Sequence, residues 1–159
     1  MNIFYLDHDP YAIPPMMVDR HVVKMILESA QMLSTAHRIV DNADNDVLYK
    51  ATHINHPSTK WIRESKSNYN WLYHHFCYLG MEYNFRYGKI HKSISKLSDI
   101  LRYAPKNFVD IGLTKIPCAM PQEYIISEDS VVNYRNYYIK GKSHLHKWTK
   151  RTPPEWISS

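Results

Sequence analysis

Residues 19–40 read DRHVVKMILESAQMLSTAHRIV, and this stretch decides the fold class. At about 100° per residue, its apolar side chains fall on one face of a helix. That face contains Val22, Val23, Ile26, Ala30, Leu33 and Val40. Asp19 is a suitable N-cap because its carboxylate can accept a hydrogen bond from a free main-chain N–H. We therefore predict an amphipathic helix from about Asp19 to about Val40.

A second helix is predicted to begin at Pro57, a residue that suits the first helical turn. Aromatic and apolar residues follow at helical spacing as far as Gly88, which is a suitable C-terminal stop. Ser67-Asn68 could divide this long helix into two.

Two shorter helices are predicted downstream. Residues 90–103 carry apolar side chains at helical spacing, and Asp129 or Ser130 can cap a further helix to about Lys140. Between them, residues 104–127 contain three prolines and a glycine, which indicates a long ordered loop.

The two ends of the chain are predicted to be irregular. Residues 2–6, NIFYL, suit a short buried strand or extended segment, and Pro14-Pro15 is expected to keep the next stretch non-helical. The 159 residues fit one domain. We therefore expect a mainly α, compact single domain over residues 1–159, with about four helices, an extended N-terminal segment and an irregular basic C-terminal tail.

Composition excludes several classes of protein. Hydrophobic residues make up 44% of the chain, enough for a real core. No apolar run approaches 18 residues, and the start of the chain lacks the pattern of a secretory signal, so we expect no membrane partner. Two cysteines do not make a disulfide framework. These features favour a cytoplasmic protein, and they do not indicate its oligomeric state.

The positive charge is concentrated in one segment. Residues 131–151 contain six Lys or Arg and no Asp or Glu, which leaves 14 basic against 15 acidic residues elsewhere. A clustered basic excess attracts phosphates more strongly than an even one. Aromatic residues alternate with these cations, so bases could stack on rings while cations meet phosphates.

The basic tail therefore predicts a nucleic-acid partner, with DNA favoured, or a nucleotide. The alternatives are a solvated tail, or aromatic residues that pack on the core. The predicted binding residues of this segment are Arg135, Tyr138, Lys140, Lys142, Lys147, Trp148, Lys150 and Arg151.

A polar stripe on the first long helix is the candidate catalytic group. His21, Lys24 and Glu28 are separated by three and four residues, so their side chains lie side by side. An imidazole, an amine and a carboxylate together can provide a nucleophile or a general base with a charged partner. The stripe continues through Gln31 and Thr35, and the alternative is that it faces solvent.

The sequence THINHP at residues 52–57 precedes the second helix. His53, Asn55 and His56 at a helix N-terminus could bind a phosphate, with Arg63 in support. Two histidines are too few for a closed metal site, so neither a metal nor a cofactor is predicted. Asp7-His8-Asp9 could contribute acidic groups, although such a cluster is more often a turn.

Three motifs together resemble a family of small, uncharacterised bacteriophage proteins. They are HVVKMILESAQMLSTAH, THINHPSTKWIRES and YRNYYIKGKSHLHKWTKRTPPEW, and they span nearly the whole chain. The resemblance implies a phage origin, with the cytoplasm of the host cell as location, and no settled activity.

A remoter resemblance is to pyrimidine-dimer DNA glycosylases of the endonuclease V type. It implies that Glu28 matches a catalytic Glu on an early helix, that Asn55-His56-Pro57 matches an Asn-His-Pro element, and that residues 147–151 match a C-terminal DNA-binding part. The family uses the α-amine of a small or basic N-terminal residue. Here Asn2 follows Met1, and Met is not normally removed before so large a residue. The nucleophile would then be the Met1 amine, Lys24 or an activated water.

Three functions are compatible with these features. The leading hypothesis is an enzyme that processes a DNA base or a nucleotide, as a DNA glycosylase or a related base-modifying enzyme. The second is a phage protein that binds nucleic acid or a nucleotide without catalysis, as a counter-defence protein would. The third is a metal-dependent nuclease using Asp7, Asp9, His53 and His56. A cleft shared by the polar stripe and His56 would favour the first.

Overall fold

The computed structural model describes residues 1–158; Ser159, the last residue of the predicted tail, lies outside the described residues. Within residues 1–158 the chain forms seven α-helices and no β-strand, which confirms the mainly α prediction. The helices are α1 (Ile13–Met16), α2 (Asp19–Val40), α3 (Pro57–Glu64), α4 (Lys66–Tyr87), α5 (Lys92–Leu101), α6 (Ser130–Gly141) and α7 (Glu155–Ser158). Short 3-10 turns lie at Gln122–Tyr124 and Ser143–Leu145.

The long helix α2 has the predicted bounds, and its buried face follows the predicted spacing with two exceptions. Val22, Ile26, Ala30 and Leu33 are fully buried, but Val23 is 41% exposed and Val40 is only partly buried. Its N-cap is Val18, so Asp19 is the first helical residue and its carboxylate is used elsewhere.

The predicted second helix is divided, but two residues earlier than expected. Ser65 is extended between α3 and α4, and the carboxylate of Asp110 accepts hydrogen bonds from the Ser65 and Ser67 hydroxyls at 3.0 and 2.7 Å. These contacts hold the pKa of Asp110 down at about 2. The carboxylate that binds both serines at the junction of α3 and α4 therefore belongs to the long loop at residues 104–127. Gly88 ends α4 in the left-handed conformation with φ 69°, as predicted.

The prediction for the N-terminal region was wrong at one point. Pro14 and Pro15 lie inside α1, because a proline in the first helical turn lacks only an N–H that has no helical partner there. Residues 3–6 are buried, as predicted, and of the two alternatives given for residues 2–6 they do not form the strand. Phe4 has φ 60°, a conformation that strands do not use, and it turns the segment back onto the protein.

Helix α2 is the central element of the core. It packs against α3, α4 and α5, and the buried aromatic residues Trp61, Tyr69 and Phe76 fill the space between them. The N-terminal segment, residues 3–6, lies between α2 and α6, where Phe4 stacks on His21 and contacts Tyr134 and Tyr138. This position places the start of the chain beside the polar face of α2.

A buried ionic network fastens the C-terminal tail to the helices. Arg86 of α4, 2% exposed, bonds to Glu82 at 2.9 Å and to Asp19 at 2.8 Å, while Arg151 of the tail bonds to both oxygens of Glu82. Asp19 also accepts from the main chain and hydroxyl of Thr149. In residues 1–158, no helix is both long and apolar enough to cross a membrane.

Candidate functional site

The start of the chain is fixed by the side-chain amide of Asn2. Its Oδ1 accepts hydrogen bonds from the main-chain N–H of Ile3 at 2.7 Å and from the Tyr134 hydroxyl at 2.9 Å. Its Nδ2 donates to the carbonyl oxygen of Ala119 at 2.8 Å. These bonds tie the first residues to α6 and to the long loop, and so hold Met1 over α2.

The amino group of Met1 pairs with Glu28, one of the predicted catalytic residues. Its nitrogen lies 3.1 Å from Oε1 of Glu28. The Glu28 side chain is only 9% exposed, and its Oε2 is buried with no hydrogen-bond partner in residues 1–158. Buried carboxylate oxygens are nearly always paired. An unpaired one beside an ammonium group is therefore a feature that a ligand could satisfy.

Met1 and Glu28 line an open pocket of about 270 Å³. Its walls are mostly polar, and they come from the N-terminal segment, α2, the long loop and the C-terminal segment. The lining residues are Met1, Asn2, Phe4, His21, Lys24, Met25, Glu28, Ala119, Tyr137 and Lys142. The pocket, called here the Glu28 pocket, contains all three members of the predicted catalytic stripe. The stripe therefore faces a cleft rather than open solvent.

His21 is held rigidly at the edge of the Glu28 pocket. Its ring stacks on Phe4 with centroids 4.0 Å apart, and its Nδ1 lies 2.7 Å from the Tyr138 hydroxyl. Burial, and after it the nearby cations Lys142 and Lys24, lower the pKa of His21 to about 3. The imidazole is thus neutral at pH 7, and in that form it can accept or donate one proton at a defined ring nitrogen.

A second pocket, of about 240 Å³, adjoins the first. It shares three side chains with the Glu28 pocket and contains no acidic residue. Its lining consists of Arg20, His21, Lys24, Lys142, His144 and Leu145, and we call it the cation pocket. The two pockets form one cleft with a carboxylate at one end and a group of cations at the other.

His56 lies outside this cleft but close to it. Burial lowers the pKa of His56, the Met1 ammonium group and His53 lower it further, and Glu28 acts in the opposite direction. Its Nδ1 accepts from the main-chain N–H of Ser58 and so caps α3. His56 does not line the Glu28 pocket, so the polar stripe faces a cleft but does not share it with His56, as the first functional hypothesis required.

The turn at residues 52–57 is held by hydrogen bonds of its own residues and of Arg63. His53 is exposed, with φ 47°, and bonds to the Thr52 hydroxyl. Asn55 is exposed, and Arg63 donates to the carbonyl oxygen of Ile54 at 2.8 Å. Phosphate binding by His53, Asn55, His56 and Arg63 stays a prediction.

Comparison with protein-family models, with curated proteins and with solved structures gave no match. The chemistry of the cleft must therefore follow from its own geometry. Two properties of the geometry are decisive: a buried carboxylate with one free oxygen, and a group of cations without acidic partners beside it.

The predicted basic tail is largely packed against the body. Arg135 bonds to the Leu6 carbonyl oxygen and to Asp7, and Arg151 bonds to Glu82. The indole N–H of Trp148 donates to the Met16 carbonyl oxygen. Two of the six cations in residues 131–151 are thus not freely available to a polyanion.

Individual tail residues differ in what they can contact. Tyr138 is fully buried, so its ring cannot stack on a base, and the prediction for this residue was wrong. It contributes indirectly, because its hydroxyl holds His21 and the Val18 main chain. Lys150 donates to the Phe85 carbonyl oxygen, whereas Lys140 and Lys147 are exposed and Lys142 lines both pockets.

The acidic cluster near the N-terminus forms a turn. Asp7 accepts from the main-chain N–H of Asp9, Asp9 accepts from that of Tyr11, and Asp7 pairs with Arg135. Across residues 1–158, no three His, Cys, Asp or Glu side chains come together as metal ligands. The four residues of the nuclease hypothesis therefore do not form a metal-binding group there.

The sequence did not point to several residues of the cleft. Arg20, Phe4, Tyr137 and Ala119 line its pockets, but no spacing connects them because they come from four separate segments. From the sequence, Asn2 was notable only because Met1 is not normally removed before so large a residue. In the structure Asn2 positions the Met1 amine, through a contact to a residue 117 positions away.

Proposed function

We propose that the protein cleaves the N-glycosidic bond of a deoxynucleotide in the Glu28 pocket. One observation carries the proposal: Glu28 is a buried carboxylate with Oε1 against the Met1 amine and Oε2 unpaired. Cleavage of this bond develops positive charge on the sugar. A carboxylate whose surroundings exclude most water stabilises such charge far better than one in bulk solvent.

The amine gives the pocket a nucleophile as well as a stabilising charge. Its lone pair can form a bond to the sugar C1′ while the base departs with the bonding electrons and takes up a proton. The resulting aminal opens to an imine, and water hydrolyses the imine to release the sugar and restore the amine. Amines act in this way in covalent catalysis once a neighbouring group accepts their proton, a role that Glu28 can fill at 3.1 Å.

His21 and Lys24 would complete the chemistry. Both line the pocket on the same helix as Glu28. Lys24 can deliver a proton to the departing base, and the neutral imidazole of His21 can accept a proton from water or from the amine. Lys24 is also the alternative nucleophile, because its amine faces the same space. The remote resemblance to pyrimidine-dimer DNA glycosylases supports this assignment, since it aligns Glu28 with a catalytic Glu.

The proposal is tested by product analysis. The protein, with its first residue established by intact mass, is incubated with deoxynucleotides and with oligonucleotides that contain damaged or modified bases. Released base is measured by liquid chromatography and mass spectrometry. Parallel samples contain cyanoborohydride, which reduces an imine to a stable adduct. We expect free base and a sugar adduct on the peptide that contains Met1; an adduct on the Lys24 peptide would assign the nucleophile to Lys24.

Two matched variants make this experiment decisive. Glu28→Gln keeps the shape of the side chain but removes its charge, and we expect at least a hundredfold loss of product, as for other removed transition-state contacts. Glu123→Gln makes the same change at an exposed position and should retain wild-type activity. If the wild-type protein binds these substrates yet leaves all of them intact, the glycosidic-cleavage proposal is wrong.

A second candidate function is binding of a nucleotide without catalysis. The cation pocket favours it, because Arg20, Lys24, Lys142 and the imidazole of His144, with no acidic residue in the lining, form an anion site whether or not Glu28 performs chemistry. Tight binding of a nucleotide with no product after prolonged incubation would identify this function.

A further inference from the structure

The cation pocket is lined by side chains that form no ion pair with any residue from 1 to 158. Arg20, Lys24, Lys142 and His144 line it, and none of the ion pairs within residues 1–158 involves any of them. By contrast, Arg86, Arg135 and Arg151 each pair with a carboxylate. Arg20, Lys24 and Lys142 therefore bring three positive charges without an ion-pair partner together around one small pocket.

The cation pocket is continuous with the Glu28 pocket. His21, Lys24 and Lys142 belong to both, so a single ligand can occupy the two at once. Lys142 lies at the junction, with its ammonium group 5.0 Å from the Tyr137 ring centroid and 6.0 Å from that of Phe4. Such cation–π contacts hold a lysine without neutralising its charge. The cleft thus has a cationic end, an aromatic wall and a carboxylate end.

The ring of His21 experiences the same positive field. After burial, the causes that lower its pKa are Lys142, Lys24, Arg20 and His144 in that order, and all four line the pocket. Three of them, Lys142, Lys24 and Arg20, carry positive charge around a neutral imidazole, and their mutual repulsion weakens the folded state. A bound anion would relieve that repulsion.

We propose that the cation pocket binds the phosphate of a single nucleotide whose sugar enters the Glu28 pocket. The sugar assignment rests on the proposed function, whereas the phosphate assignment rests on the cations alone. The pocket volume of about 240 Å³ accommodates one phosphate rather than a run of them. Arg135 and Arg151 of the tail are paired with Asp7 and Glu82, so these two cations do not extend the site.

The test measures binding in the Glu28→Gln variant, where turnover does not interfere. It is titrated at fixed ionic strength with a deoxynucleoside, with its 5′- and 3′-monophosphates, with inorganic phosphate and with a short DNA duplex. We expect at least one monophosphate to bind about tenfold or more tightly than the nucleoside, because charge-assisted hydrogen bonds are strong in a partly enclosed site.

A matched pair of variants locates the effect. Arg20→Gln/His144→Gln changes two residues that line only the cation pocket, and it should abolish most of the phosphate preference while leaving nucleoside affinity unchanged. Lys89→Gln/Lys92→Gln removes exposed positive charge elsewhere and should retain the preference. Circular dichroism of each variant establishes that it is folded.

Three results would overturn the proposal. They are equal affinity for nucleoside and monophosphates, a preference that survives Arg20→Gln/His144→Gln, and binding of the duplex alone. These outcomes are independent of catalysis. A wild-type protein that forms no product but keeps the phosphate preference would contradict glycosidic cleavage and leave the phosphate pocket supported.

Discussion

The main-chain nitrogen of Met1 lies 3.1 Å from Oε1 of Glu28, so the start of the chain is joined to the third turn of α2. The contact does not arise from neighbouring sequence. It depends on the side chain of Asn2, which Tyr134 and Ala119 hold from the far end of the chain. The position of the Met1 amine beside Glu28 therefore depends on these long-range hydrogen bonds.

Extending the chain with Gly-Ser before Met1 would convert the amine into an amide N–H. The positive charge beside Glu28 would be lost, and the nitrogen could no longer form an imine. We expect product formation and cyanoborohydride trapping at the Met1 peptide to fall at least a hundredfold. Gly-Ser added after Ser159 is the control. Full activity of the N-terminally extended protein would exclude the Met1 amine as nucleophile.

Replacing Tyr138 by Phe would remove the hydroxyl that joins the Val18 main chain to His21. Two buried partners would then be left unpaired, so the free energy of unfolding should fall by about 1–3 kcal/mol in urea titrations. Tyr134→Phe is a matched change on the same helix that releases Asn2 instead of His21. An unchanged stability for Tyr138→Phe would show that this hydrogen bond contributes nothing.

His75 should make the protein sensitive to mild acid. Its ring is fully buried against Trp71, and burial lowers its pKa to about 4, although the Pro10 main chain acts in the opposite direction. The unfolded chain binds a proton below about pH 6.5 whereas the folded protein does not. Stability should therefore fall by about 3 kcal/mol between pH 6.5 and pH 4, with no further loss from this group below pH 4.

The control for this prediction is His75→Phe, which keeps an aromatic ring but cannot take up a proton. Its unfolding free energy should change by less than about 1.5 kcal/mol at pH 8. It should lose less stability than the wild type between pH 6.5 and pH 4, with His21 contributing equally to both. Parallel stability curves for the two proteins over this range would contradict the assignment.

Asp19 joins α2 to the tail and to the buried Arg86. Burial raises the pKa of its carboxyl, but hydrogen bonds from Thr149 and Arg86 outweigh burial and lower it. Asp19→Asn should therefore destabilise the protein by about 2 kcal/mol at pH 7. The difference from wild type should shrink as the pH falls below about 3.8, because protonation then removes the same charge.

Thr149→Val is the partner measurement for Asp19→Asn, since it removes only the hydroxyl bond to Asp19. We expect Thr149→Val to lower the free energy of unfolding by about 1 kcal/mol. The double variant should lower the free energy of unfolding by less than the sum of the two single variants, because both single changes remove the same contact. Simple additivity would show that the Asp19–Thr149 bond is not a stabilising interaction.

Arg151 and Lys147 belong to the same basic segment but should behave differently. Arg151→Ala removes the bidentate hydrogen bonds to the buried Glu82 and should lower the unfolding free energy by about 1–3 kcal/mol. Lys147 is exposed, so Lys147→Ala should change stability by no more than about 0.5 kcal/mol. Equal effects in thermal unfolding would mean that the Arg151–Glu82 contact does not fasten the tail.

The sequence determined the helices that are specified by local patterns. Apolar spacing gave α2 from Asp19 to Val40, and Gly88 ended α4 because a left-handed residue is needed there. It failed where a distant group decides the local structure. The break at Ser65 is one example, since its stabilising carboxylate belongs to Asp110, 45 residues away.

The same distinction applies to the candidate site. His21, Lys24 and Glu28 could be selected from the sequence because residues three and four apart share a helix face. The sequence left open whether that face was solvated, and only the tertiary structure decided it by folding the N-terminal segment and Lys142 over it. The basic tail was visible as composition, but only the structure separated Arg135 and Arg151, which pair with carboxylates, from Lys142 at the pocket and from the exposed Lys140 and Lys147. Composition records how many charges a segment has, whereas the pairing of each charge depends on long-range packing.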